Sequence, residues 1–126
     1  EALYHQAALK LGFSDSVMQI LYTICNVGDR CLLSDICKLS GTSKQTINSA
    51  VRVLEKDGIV YLEALDGKKK VICLTERGKA TVEATIARLI AIENQIFASW
   101  TEFEREEYLR LTKAYMIAFK EKMELL

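Results

Sequence analysis

Gln45, Asn48, Ser49 and Arg52 recur at spacings of three and four, with Lys56 one turn further on and Lys44 flanking them. At about 100° per residue they share one face of a helix, opposite Ile47, Val51 and Leu54. That face offers amides, a hydroxyl and cations, and its N-terminal half holds no acid. An amide side chain can bond the edge of adenine, and a guanidinium or ammonium can bond guanine O6 and N7. Thr42 and Ser43 stand just ahead, where hydroxyls and the free N–H groups of a helix start suit a phosphate. A solvated helix face is polar as well, so this pattern alone leaves both readings open.

A second cluster follows. Lys68, Lys69 and Lys70 come directly after Asp66-Gly67, a two-residue signal for a hairpin turn. A lysine triplet at a hairpin tip can track phosphates or enter a minor groove, whereas a plain soluble turn is the competing reading. From Lys38 to Lys70 there are seven bases against four acids, although the whole chain has a formal net charge of zero. Positive charge is thus concentrated locally, and any polyanion must be met there.

The elements that must position these clusters can be read from periodicity and punctuation. A helix is expected over Ala2–Leu11, ended by Gly12. A second, capped by Ser14, carries the stripe Val17, Ile20, Leu21 and Ile24, and breaks over Asn26 to Asp29. A short helix over about Ser34–Leu39 turns Leu33, Ile36, Cys37 and Leu39 inward. After the Ser40-Gly41-Thr42 turn, a longer helix over Ser43–Asp57 buries Ile47, Ala50, Val51 and Leu54 and stops at Gly58. Ile59–Ala64 and Val71–Leu74 read as two strands around a turn over Leu65–Lys70. Thr75 caps one long helix running to Trp100, and Thr101 starts a last one with Glu102 and Glu104 at its positive end.

The sum is a mainly α fold with a small β-hairpin wing: a winged helix-turn-helix over 29–77, flanked by helical regions at 1–28 and 78–126. That order of short helix, tight turn, longer helix and charged hairpin is how a chain builds a reader for the major groove.

Composition bounds the function. The 126 residues are half apolar and contain no proline, enough for one cored domain with long helices. No apolar run approaches the ~20 residues of a membrane span, and Glu1 to Lys10 lacks the layout of a leader, so a cytoplasmic protein is expected. The four cysteines, Cys25, Cys31, Cys37 and Cys73, form no CxxC pair, and His5 is the only histidine. No metal and no cofactor are therefore expected, and the thiols read as small buried hydrophobes. No nucleophile–base set or glycine-rich phosphate loop is present, which argues against an enzyme.

The phrases LSDICKLSGTS, INSAVRVLEKDGIV and DGKKKVICLTERG carry a resemblance. From about Leu32 to Ala80 the chain resembles the winged helix-turn-helix core of the MarR family, bacterial regulators of the multiple-antibiotic-resistance type, and the flanking helices are similar too. The resemblance implies a homodimeric transcriptional regulator, typically a repressor, whose terminal helices interlock. Each subunit would place its 43–57 helix and 65–70 wing on one half of a pseudo-palindromic operator. With the polar helix face, the helix start and the lysine tip read above, the expected DNA contacts are Thr42, Ser43, Lys44, Gln45, Asn48, Ser49, Arg52, Lys68, Lys69 and Lys70. The family wing often carries Asp-x-Arg. Here Asp66 is kept and Lys68 replaces the arginine, losing the planar fork and predicting weaker sequence preference at the wing.

Many relatives sense small aromatic molecules, and Tyr4, Phe13, Tyr22, Trp100 and Tyr108 can line such an effector pocket, with core or interface filler as the competing reading. Relatives that sense oxidants use a cysteine in the first helix, which this chain lacks. Leu109, Leu111, Met116, Ile117, Phe119 and Met123 cover much of the last helix, as burial on two sides requires. A second copy is the expected cover. A winged-helix module that binds protein instead of DNA remains the alternative function.

Overall fold

The computed structural model describes residues 2–126, so Glu1, which opens the first expected region, lies outside the described residues. The chain forms two compact units, one up to Ile90 and the other over Ala91–Leu126.

The first unit begins with α1 (Ala2–Leu11) and α2 (Asp15–Val27). Ser14 caps α2 by accepting the Val17 N–H at 3.2 Å, and Gly28 ends it in the left-handed conformation. The expected stripe of Val17, Ile20, Leu21 and Ile24 is buried. Next come β1 (Arg30–Leu32), α3 (Leu33–Ser40) and α4 (Lys44–Lys56). β2 (Val60–Ala64) and β3 (Lys70–Leu74) form the hairpin, and α5 (Glu76–Ala84) and the start of α6 (Ile86–Ala98) complete the unit. Ile20, Leu21, Ile24, Ile36, Ile47, Ile72 and Ile86 are fully enclosed. Each such side chain stabilises the fold by roughly 1.5–3 kcal/mol.

Three sequence expectations are corrected here. The wing sheet has three strands, in the order β1-β3-β2 with both pairings antiparallel. β1 places Arg30 opposite Cys73 and Leu32 opposite Val71. A three-residue strand is too short for an alternation to register, and its partner lies some forty positions on in the chain. The single helix expected from Thr75 to Trp100 is two helices, α5 and α6, broken at Thr85. The Thr85 hydroxyl donates to the Thr81 carbonyl at 2.7 Å, and its N–H bonds Val82 one residue short of α-helical register. A threonine bonding back to the preceding turn bends a helix without any glycine or proline to announce it. Leu39, expected inward, is exposed, while Ile36 alone of α3 is fully enclosed.

The hairpin and α5 meet at one close approach. Thr75 caps α5 by accepting the Gly78 N–H at 2.9 Å, and the Thr75 N–H bonds the Ile59 carbonyl at 3.0 Å. A Cβ on Gly78 would sit 2.0 Å from that same carbonyl oxygen, so only glycine fits.

The second unit contains the end of α6 and α7 (Glu102–Met123). Thr101 and Glu104 form a reciprocal capping box at the start of α7, with bonds of 3.1 and 2.8 Å. Among the described residues no helix is long and apolar enough to cross a membrane.

Candidate nucleic-acid interface

α4 is set by its cap and its stripe. Ser43 takes extended backbone angles and accepts the Thr46 N–H at 3.2 Å. Ile47, Ala50, Val51 and Leu54 are buried. Rotation by the helical period then leaves Gln45, Ser49, Arg52 and Lys56 exposed and Asn48 half-buried.

The turn ahead of α4 is tied to α2. The Thr42 hydroxyl donates to Gln19 Oε1 at 2.9 Å, and Gln19 Nε2 donates to the Ser40 carbonyl at 3.2 Å. Gly41 supplies the left-handed residue that the turn requires. Sequence reasoning missed Gln19, because nothing local signals a bond across more than twenty residues. It also offered the Thr42 and Ser43 hydroxyls to a phosphate. Those of Thr42, Ser43 and Ser49 each donate within the chain, to Gln19, Thr46 and the Gln45 carbonyl. They retain acceptor lone pairs, so phosphate binding here would fall to the N–H groups of the first turn, including those of Lys44 and Gln45.

The wing turn is closed by Leu65 N–H to the Lys69 carbonyl at 2.9 Å and Lys69 N–H to Asp66 at 3.1 Å. Gly67 supplies a φ of 58°. Folding brings the triplet Lys68, Lys69 and Lys70 onto one groove with Lys38 of α3 and Lys44 and Asn48 of α4. The groove measures about 580 Å³. None of its lysines makes an ion pair among the described residues, nor do Arg52 and Lys56. Ammonium groups gathered without counter-charge create a field that favours a polyanion.

The ridge is split between two flanks. Lys44 and Asn48 face the wing groove, whereas Gln45 and Ser49 border a second hollow on the other side of α4. Arg52 is exposed and lines neither.

The five aromatic residues fall into three settings. Tyr4 and Tyr22 border a hollow of about 360 Å³, beside which His5 Nδ1 meets Asp15 Oδ1 at 2.9 Å. Phe13 lines the second hollow beside α4. Trp100 and Tyr108 pack edge-on with ring centroids 5.3 Å apart, and both contact Phe97 in the second unit. Sequence order could not place them, because aromatic side chains carry no signal of mutual distance.

All four cysteines are free thiols. Cys31 and Cys73 are buried as expected, but Cys25 and Cys37 are only partly so. Burial, reinforced by Asp29, pushes the Cys25 thiol up to about 11. Burial, with Asp35 adding to it, likewise raises Cys31. Both are held protonated and so are poor nucleophiles.

Residues 11–70 match the sequence model of the MarR family. The fold is shared with solved structures. A MarR family regulator from Neisseria meningitidis is 16% identical with a TM-score of 0.84, covering 98% of this chain and 87% of that one. AbsC, a MarR family transcriptional regulator from Streptomyces coelicolor, is 18% identical with a TM-score of 0.71, over 92% and 81%. An organohalide-sensing transcriptional regulator bound to 2,4-dichlorophenol is 21% identical with a TM-score of 0.63, over 100% and 74%. No curated protein matches the chain in sequence.

Proposed function

Starting from a chain that belongs to the MarR family, we propose that it is a DNA-binding transcriptional regulator, a homodimeric repressor that works in the cytoplasm on a pseudo-palindromic operator. The observation that carries this reading is the groove where the wing lysines, Lys38 and Lys44 meet Asn48 with no carboxylate to neutralise them. α4 enters the major groove. Asn48, Gln45 and Arg52 read base edges, Ser49 adds an acceptor, and Lys44 with the Thr42–Ser43 helix start holds a phosphate. Lys68, Lys69 and Lys70 bind the adjoining backbone as point charges, without the planar recognition an arginine would add.

The head spans 29–77, and 1–28 with 78–126 form the dimerisation region. Support for the dimer comes from α7, which is apolar on several sides and contains no buried residue. Two heads would then lie about 34 Å apart, one turn of DNA. A small aromatic effector releases the repressor. The dichlorophenol-bound relative supports this class of ligand, and the hollows at Phe13 and at Tyr4 with Tyr22 are the candidate sites within the first unit; Trp100 and Tyr108 form a separate aromatic cluster in the second unit.

The test is binding to the DNA upstream of the chain's own gene. The complex should weaken steeply with salt, and Asn48→Ala or Arg52→Ala should cost about 1–3 kcal/mol per half-site and relax its sequence preference. Variants that footprint like the parent would overturn the role of α4. A protein-binding module would give no shift even at low salt.

A further inference from the structure

A helix with its side chains is about 10–12 Å across, and the major groove is about as wide. A helix lying in that groove therefore meets sugar-phosphate on both flanks. The wing flank of α4 has its lysines. The opposite flank borders a hollow of about 850 Å³ whose rim includes Gln45 and Ser49 of α4, Ser16 of α2 and Arg77 and Thr81 of α5. Arg77 is the one cation on this hollow, is exposed, and makes no ion pair among the described residues. Two acids stand near it, and neither bonds it. Glu76 reaches Lys79 at 3.5 Å, and Asp57, on the same rim, makes no ion pair with Arg77. Its guanidinium therefore has no carboxylate partner within the described residues and is available to an acceptor from outside the chain.

We infer that Arg77 is a second phosphate contact, gripping the DNA strand on the far side of α4 from the wing. This rests on the proposed DNA face and extends it to an arginine outside both the 43–57 helix and the 65–70 wing. A guanidinium presents paired donors to a phosphodiester, whereas the wing offers only ammonium groups. The two strands bordering α4 are thus held by different chemistry: diffuse attraction on one side and a forked contact on the other.

The experiment measures affinity of the full chain for a mixed-sequence duplex of about 30 base pairs by fluorescence anisotropy, from about 50 to about 200 mM salt. Arg77→Ala and Arg77→Gln should each flatten the log–log salt dependence by about 0.9 per subunit, while Arg77→Lys keeps it. Melting curves of all three confirm that the comparison is between folded proteins. A slope unchanged in Arg77→Ala or Arg77→Gln, or flattened as much in Arg77→Lys, overturns the contact, and the hollow then keeps only the effector role proposed above. The triple variant Lys68→Ala, Lys69→Ala, Lys70→Ala separates this outcome from failure of the DNA face itself. Should the wing variant flatten the slope while Arg77→Ala does not, only the Arg77 assignment falls. Should neither respond, the DNA face falls with it.

Discussion

α4 and α7 are both long, well-capped helices, yet they present opposite surfaces. α4 buries four residues against its unit and exposes amides and cations. α7 buries none, and Phe103, Leu109, Leu111, Ile117 and Phe119 are each more than half exposed. An ordinary surface helix keeps its apolar residues on the side facing the core. α4 is complete once its stripe is covered, so its outer face is free for a ligand. α7 leaves its apolar residues uncovered within one chain, which is the surface the proposed dimer would use. In the regulator proposed above, α4 would read and α7 would pair.

The comparison breaks most visibly at α7. If α7 joins two copies as proposed, Ile117→Asp combined with Phe119→Asp should convert a dimeric parent to a monomer by sedimentation. Specific DNA affinity should fall by about 10²-fold or more, since linked binding of two half-sites is lost. A variant that stays dimeric would show that some other surface joins the subunits.

A smaller effect, confined to the reading unit, is expected of Gly78→Ala. The added methyl would press on the Ile59 carbonyl, and overpacking of this kind costs about 1–3 kcal/mol, more where backbone must move. Chemical denaturation should show this loss at every protein concentration, whereas losses at α7 should grow on dilution. A neutral Gly78→Ala would mean that the base of the hairpin yields.

Acid should produce the smallest change. Glu104 is held below the usual carboxylate range by the Thr101 backbone N–H and then the Thr101 hydroxyl. Its support for the start of α7 is present above the unfolded value of about 4.3 and is lost as pH falls through the lower folded value. Melting followed under acid should show α7 fraying in the parent more than in Glu104→Gln, which keeps an acceptor at every pH. Equal fraying in both would remove Glu104 as the cause.

The caps were legible because they are local. Ser14, Ser43, Thr75 and Thr101 each bond an N–H three residues on, and any reader of the chain can see both ends. The stripe of α4 was legible for the same reason, and with it the exposure of Gln45, Ser49 and Arg52. What lay beyond reach needed tertiary pairing. β1 exists only because β3 bonds it, and the break at Thr85 depends on a hydroxyl choosing the preceding turn. Periodicity put Gln45, Asn48 and Ser49 on one ridge, but it could not show that the wing claims one flank and α5 the other. Arg77 stood in plain sight inside LTERG. Nothing in the order of residues says that this arginine borders the same hollow as Gln45.

The Ile59 carbonyl lies over Gly78 and takes the Thr75 N–H, while the Thr75 hydroxyl donates at 2.6 Å to the neighbouring Gly58 carbonyl. The root of the hairpin is thereby welded to the start of α5, and swinging it would mean tearing several bonds at once. The lysine tip is consequently carried on a hairpin anchored at its base. On the proposed DNA complex its reach would be dictated by where the head docks, and it would gauge the span between the two grooves of a duplex as a fixed caliper does.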